Sequence, residues 1–178
     1  MSALDKTQAK KIMIIGCGGA GKSTLARQLG AILDIEVIHL DAFYWHPGWV
    51  ETLKFKWHSI VQDLTKRKSW IIDGNYSDTL DFRLAAADTV VFLDLSRLLC
   101  LWRVIKRRLM YTGKTRPDMA SGCPERINGQ FLQYIWNYSI ARRSVILEKL
   151  SQLTPNQQVI ILKSPAEVRL FLEELRMS

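Results

Sequence analysis

Cysteine is scarce in this chain. Its three residues, Cys17, Cys100 and Cys123, stand far apart among 178 positions, too few for a disulfide framework and too scattered for a four-cysteine zinc site. The three histidines, His39, His46 and His58, lack metal-ligand spacing and read as structural residues. Long apolar runs are also missing. The stretch TVVFLDLSRLLCLW is broken by Asp94 and Arg97, and no uncharged run nears the ~20 residues that span a bilayer. No charged-then-apolar leader opens the chain, and no repeat, low-complexity tract or linker divides it. These absences lead us to expect one soluble domain over 1–178 in a reducing compartment, hence a cytoplasmic protein. Acidic residues are in deficit: 17 Asp+Glu face 25 Lys+Arg, a formal net charge of +8. That surplus suits an anionic partner, and nucleotides, nucleic acids and membrane surfaces all qualify.

What is present is an alternation. Short β-branched apolar runs at Lys11–Ile15, Ile35–Leu40, Trp70–Asp73, Thr89–Asp94 and Gln158–Leu162 are separated by amphipathic stretches near 22–33, 54–67, 77–86, 96–110, 124–150 and 165–176. Strands apolar throughout and separated by helices predict an α/β fold, a parallel sheet covered on both faces in three α/β/α layers. The longest gap between strands, 95–157, must hold a helical insertion. Within it YTGKTRPDMASGCP, residues 111–124, reads as a mobile loop, and we place a lid-type insertion at about 108–128. The polar first ten residues are expected to fray.

After the first strand comes Gly16-Cys17-Gly18-Gly19-Ala20-Gly21-Lys22-Ser23-Thr24, which satisfies G-x-x-x-x-G-K-[ST]. Glycines let such a loop wrap closely with its N–H groups turned inward, an anion nest at a helix N-terminus. Gly16, Gly18, Gly19, Ala20, Gly21, Lys22, Ser23 and Thr24 are thus the expected nucleotide-binding residues. Lys22 would bridge the β- and γ-phosphates of ATP, and the Ser23 hydroxyl would ligate Mg²⁺. Guanine-specific GTPases use N-K-x-D, and ABC-type ATPases need a longer domain with an LSGGQ-like signature; neither string occurs. A small P-loop kinase remains. It requires an acceptor site, a metal-orienting carboxylate and arginines for the transferring phosphoryl group.

Two strands end in aspartate, WIID at Asp73 and VFLD at Asp94. Asp73 is favoured as the Walker-B acid, because Gly74-Asn75 would leave it at the carboxyl edge of the sheet, where ligands bind. Asp94 is the alternative, or else it caps the helix beginning near Ser96. Asp41 ends VIHLD and is followed by Phe43, Tyr44, Trp45 and Trp49. A carboxylate beside an aromatic wall could orient or deprotonate an acceptor hydroxyl, with a planar acceptor stacked on Tyr44 or Trp45. Equally, these rings could simply cover the sheet edge. The segment 97–116 carries seven basic residues and no acidic one, nearly the whole net charge. At 100° per residue, Leu98, Leu101, Trp102, Ile105 and Leu109 share a face expected to dock. Arg103 and Arg107 lie opposite, leading toward the lid, where they could stabilise a γ-phosphoryl group or merely be solvated. Arg126, Arg142 and Arg143 are further lid candidates.

Together GCGGAGKSTLARQLG, VIHLDAFYWHPGW, WIIDGNYSDTLDFRLAAADTVVFLD, LCLWRVIKRR and GKTRPDMASGCPE resemble the DNA topology modulation proteins, a group related to adenylate kinase. The resemblance spans about residues 11–175. It implies an adenylate-kinase-like P-loop kinase fold, with the five parallel strands in the order 2-3-1-4-5, and ATP binding. By the same comparison Asp73-Gly74 resembles the Walker-B turn, Arg103 and Arg107 the arginine pair entering the lid, and Arg116-Pro117-Asp118 the start of the second lid arginine motif. Arg126 is similar to its later arginine. The chain departs from adenylate kinases after Asp73-Gly74, where Asn75-Tyr76 replaces Pro-Arg and the next arginine is Arg83. It departs from shikimate-type kinases in that Asp41 stands without a second aspartate two residues on.

The sequence therefore predicts an ATP- and Mg²⁺-dependent phosphotransferase acting on an unidentified small-molecule or nucleotide acceptor. Lys22, Asp41, Arg103, Arg107 and Arg116 would carry the chemistry, and Ser23 with Asp73 would hold the metal. Two rivals stand beside it: a nucleotide-responsive DNA-binding regulator without phosphotransfer, and an ATPase driving a partner. Against the DNA reading, no helix-turn-helix, zinc finger or RNP motif is recognisable.

Overall fold

The computed structural model describes residues 4–6 and 8–177. Strand β1 (Lys11–Gly16) leads through a glycine-rich loop into helix α1 (Lys22–Leu33), followed by β2 (Val37–His39), the short helix α2 (Leu40–Tyr44) and a hairpin of β3 (Trp45–His46) and β4 (Val50–Glu51). Then come α3 (Lys54–Thr65), β5 (Trp70–Asp73), a 3₁₀ turn at Ser77–Thr79, α4 (Leu80–Ala86), β6 (Thr89–Leu93), α5 (Arg97–Met110), α6 (Gly129–Ala141), α7 (Arg143–Ser151), β7 (Gln158–Leu162) and α8 (Pro165–Met177).

Five strands form one parallel sheet in the order β2-β5-β1-β6-β7. Counting sheet strands alone, this is the expected 2-3-1-4-5. The cause lies in composition: Ile12, Met13, Ile14 and Ile15 in β1, and all five residues of β6, are buried, so both faces of the centre need helical cover. Register sets the site. Ile14 pairs with Asp73 and Gly16 with Leu93, while His39 pairs with Asp73 on the other side. The carboxyl ends of β2, β5 and β1 therefore emerge side by side, with α2 and the hairpin beyond one sheet edge and α8 beyond the other.

Several boundaries differ from expectation. The second strand stops at His39, and Asp41 falls in the first turn of α2. The stretch predicted as one helix over 124–150 is two, α6 and α7, starting at Gly129. Leu4 and Ala9 are buried in the core, so the expected fraying does not hold for them; residues 1–3 and 7 lie outside the described residues. The largest correction concerns α5, which is turned the other way. Of the predicted face only Leu101 is half-buried against the core; Leu98, Trp102, Ile105 and Leu109 are exposed, at 65%, 57%, 51% and 75%, while Cys100 and Val104 are buried. The helix turns its side bearing Cys100, Arg103 and Val104 to the glycine-rich loop, where Gly19 lies against Cys100 and Val104 and Arg103 reaches the Ala20 carbonyl. Among the described residues no helix is long and apolar enough to cross a membrane.

Candidate active site

The glycine-rich loop turns on a backbone bond from the Ala20 N–H to the Cys17 carbonyl at 3.1 Å. Gly19 and Gly21 have φ of 82° and 100°, and α1 starts from Gly21 with no side chain capping its first turn. Its free N–H groups are thus left for an anion. Gly19 also permits a close approach: a Cβ there would sit 2.4 Å from the Cys100 carbonyl oxygen and 2.8 Å from the Val104 side chain. The loop is seated against α5 in this way. Beside that contact the Cys17 Sγ donates to the Ile135 carbonyl at 3.9 Å, and the neighbouring Cys100 thiol together with burial pushes the Cys17 thiol far up. All three cysteines are free and buried. Lys22 folds over the loop, its Nζ donating to the Gly16 (2.9 Å) and Cys17 (3.0 Å) carbonyls. Asn75 Oδ1 accepts from the Gly16 N–H at 3.1 Å, and its amide donates to the Tyr134 hydroxyl at 2.9 Å, tying the loop to β5 and α6.

Gly18 to Thr24 line one continuous cavity of about 930 Å³ that also takes in Asp41, Asp73, Arg103, Arg107 and Arg116. Of the expected phosphate-binding residues only Gly16 lies beneath the loop rather than on the cavity wall. Asp73, 4% exposed, receives His39 Nδ1 at 2.5 Å. Burial works against the His39 imidazolium, but the Asp73 carboxylate, helped by Asp118, outweighs it and raises the His39 pKa. His39 is thus part of the site, a role its isolated sequence position did not disclose. Asp41 accepts from the Tyr76 hydroxyl at 2.7 Å. Burial, reinforced by the Asp73 charge, lifts the Asp41 carboxyl above the usual carboxylate range, against the Tyr76 hydrogen bond and the Lys22 ammonium. A carboxyl so placed can take a proton from a hydroxyl.

Asp94 is elsewhere. Arg143 grips it with contacts of 2.8, 3.0 and 2.9 Å, and neither lines the cavity. Ser96, not Asp94, caps α5, accepting from the Leu99 N–H at 3.5 Å. Arg143 and Arg142 are therefore not lid residues, whereas Arg126 is on the cavity wall, 4.4 Å from the Trp49 ring centre. The aromatic wall divides as well. Trp45 and Trp49 line the cavity, but Tyr44 packs against Trp57 and Tyr76 with its hydroxyl on Glu51, and Phe43 points away.

The segment between α5 and α6 is folded down. An antiparallel bridge joins Thr115 to Pro124, and the stretch is fastened to the hairpin by Gly48 N–H to the Gly122 carbonyl (3.0 Å), Trp49 Nε1 to the Pro124 carbonyl (3.1 Å) and Cys123 Sγ to the His46 carbonyl (3.1 Å). Gly122, at φ 77°, lets the chain press on Pro47, which a Cβ would meet at 2.9 Å. The arginines are not free. Arg103 donates to the Ala20 carbonyl at 2.9 Å. Arg107 and Arg116 share Glu125, at 2.8 and 2.6 Å, and Arg116 also holds Asp118 at 2.8 Å. Burial alone would raise the Asp118 carboxyl, but the Arg116 guanidinium, with the nearby Ser23 hydroxyl, holds it below the usual range. Asp118 and Glu125 are site residues that the charge count over 97–116 overlooked, because both lie just beyond its end.

The Ser23 hydroxyl and the Asp73 carboxylate both line the cavity, a donor set that fits Mg²⁺. That ion keeps several waters and takes one or two carboxylates together with substrate phosphates.

No family model and no curated protein matches the chain, so the resemblance to the DNA topology modulation proteins rests on its motifs alone. Solved structures do match. A shikimate kinase from Acinetobacter baumannii in complex with shikimate superposes with a TM-score of 0.59 at 20% identity, over 95% of this chain and 92% of that one. A gluconokinase from Sinorhizobium meliloti 1021 gives 0.53 at 15% identity, over 96% and 91%. The fold is that of the P-loop kinases.

Proposed function

We propose that this protein is an ATP- and Mg²⁺-dependent phosphotransferase that phosphorylates a hydroxyl of a small molecule. One observation carries the reading: a single cavity brings together the glycine-rich loop, the carboxylates of Asp41 and Asp73, and Arg103, Arg107 and Arg116. The resemblance to adenylate-kinase-related proteins and the P-loop kinase fold agree with it.

The roles follow from placement. The loop N–H groups and Lys22 bind the triphosphate, with Lys22 exchanging its two carbonyl partners for phosphate oxygens. Ser23 and Asp73 would hold Mg²⁺, whose bound form would supply charge neutralisation on the phosphates, and His39 orients the Asp73 carboxylate. Arg103, Arg107 and Arg116 stabilise the transferring group, the last two by leaving Glu125. Asp41 takes the acceptor proton. The folded-down lid segment excludes water, which would otherwise compete as acceptor.

A coupled ADP-release assay with nucleoside, nucleotide and small-alcohol acceptors tests this. Acceptor-dependent turnover that Lys22→Ala abolishes is expected. Tight ATP binding without transfer to any acceptor would overturn it.

A further inference from the structure

The cavity has two ends. One, toward β7, is bounded by Pro165, Val168 and Arg169 of α8, and the other, toward β2, by Asp41, Trp45, Trp49, Tyr76 and Tyr134. If the phosphotransferase reading holds, the second end receives the acceptor, and the inference that follows rests on that reading. We infer that the acceptor is an uncharged alcohol carrying an aromatic or heteroaromatic ring, rather than a carboxylic acid or a phosphate ester.

The argument is an inventory of cations. Recognition of a carboxylate or phosphate inside a cavity calls for a guanidinium or ammonium with donors to spare, usually bidentate. Arg83, the first arginine after Asp73, is fully buried and already committed. Its Nε donates to the Thr79 carbonyl at 3.2 Å, and its terminal nitrogens donate to the carbonyls of Gly74 (3.0 Å), Asn75 (3.0 Å) and Tyr76 (2.9 Å). Arg116, paired with Asp118 and Glu125, is taken up by the transferring phosphoryl group in the reading above rather than by the acceptor. The His39 ring is held by Asp73. Lys22 and Arg103 sit on the phosphate loop, where the nucleotide requires them. Of the other cations on the cavity wall, Arg107 is held by Glu125 and Arg169 stands at the β7 end. Arg27, Lys106 and Arg126 are exposed side chains at the rim, Lys106 over the Trp102 ring and Arg126 over the Trp49 ring. The floor, meanwhile, is acidic: Asp41 repels an anion at the point where an acceptor hydroxyl must arrive.

Rings supply the rest. Trp45 and Trp49 meet edge to face with centroids 5.2 Å apart, presenting indole surface from the hairpin, and Tyr134 faces the cavity from α6. Such walls favour a planar, apolar-faced ligand with few charges. In the reaction the acceptor oxygen forms a bond to the γ-phosphorus as the bond from that phosphorus to the bridging β–γ oxygen breaks. ADP departs with that electron pair, and the hydroxyl proton passes to the Asp41 oxygen.

Matched pairs test the inference. Adenosine and thymidine, their 5′-monophosphates, pyridinylmethanol, shikimate and gluconate are titrated by tryptophan fluorescence in the presence of a non-hydrolysable ATP analogue, and each is offered with ATP in the coupled assay. Adenosine, thymidine or pyridinylmethanol should bind more tightly than every anionic probe, and Trp45→Ala should weaken that binding about tenfold or more. Preference for a monophosphate over its nucleoside, preference for shikimate or gluconate, no binding by any neutral ring alcohol, or an unaltered affinity in Trp45→Ala would each overturn it. The parent reading fails separately: neutral alcohols that bind but are never phosphorylated refute phosphotransfer and leave the pocket assignment standing, whereas phosphorylated monophosphates do the reverse.

Discussion

Arg83 offers the sharpest test of how the site is held. The Arg83 guanidinium donates to the carbonyls of Gly74, Asn75 and Tyr76 and to that of Thr79, while the Tyr76 carbonyl also accepts from the Thr79 N–H and hydroxyl. Burial brings the Arg83 pKa down to about 10, partly offset by Asp78 and Tyr76, so the group stays charged at neutral pH. Replacing it with alanine strands the buried Gly74 carbonyl; Asn75 and Tyr76 are half-buried on the cavity wall, and the Thr79 carbonyl keeps the first-turn bond of α4. One buried carbonyl without a partner costs roughly 1–3 kcal/mol. The cavity left by the stem adds to that, and relief from desolvating the guanidinium subtracts, so the net loss should be about 2–4 kcal/mol. At about 2–4 °C per kcal/mol for a chain of this size, Tm should fall by roughly 4–16 °C. Thermal and urea unfolding followed by far-UV circular dichroism would measure it. Arg83→Lys, which keeps the charge but not the fork, should lie between and, while still folded, raise the acceptor KM more than the ATP KM. A loss below about 1 kcal/mol in Arg83→Ala would refute the reasoning, since the Gly74 carbonyl would then be satisfied by something other than the guanidinium.

Other expectations are more local. Gly19→Ala forces a side chain onto φ 82° and into the Cys100 carbonyl, costing about 2–4 kcal/mol and weakening ATP binding by calorimetry. Gly113→Ala, at φ 71° with open space around it, should cost only about 1–2 kcal/mol and leave ATP binding unchanged. Asp41→Asn should lower kcat by roughly 10²–10⁴ while the Kd for ATP stays within about threefold; an unchanged kcat would remove Asp41 from the chemistry. Arg143→Ala breaks a partly exposed pair with Asp94 and should cost no more than about 1 kcal/mol in urea melts. Its phosphotransfer should match that of the unaltered protein, because neither residue touches the cavity.

The sheet was legible because its strands are apolar on both faces, a pattern that only a doubly covered parallel sheet explains. The phosphate loop was legible because its glycines and Lys22 follow a strand and open a helix. What misled was α5. Its apolar stripe obeys helical periodicity and should have docked, yet the loop selects the opposite side, where Cys100 and Val104 are small enough to meet Gly19. Periodicity finds a face but not its partner. His39 escaped notice because its role comes from strand register with Asp73, a pairing across 34 residues that no local pattern encodes. Asp118 and Glu125 acquire their roles only when the lid folds back over the loop.

That fold-back changes how the protein's charge is felt in solution. The cationic stretch from 97 to 116 looks like a polyelectrolyte, yet two of its arginines are already neutralised from within by Glu125 and Asp118. On the proposed function, a triphosphate arriving there would displace internal carboxylates rather than counterions, so salt should erode less of its affinity than the cation count implies. The lid is its own buffer against ionic strength.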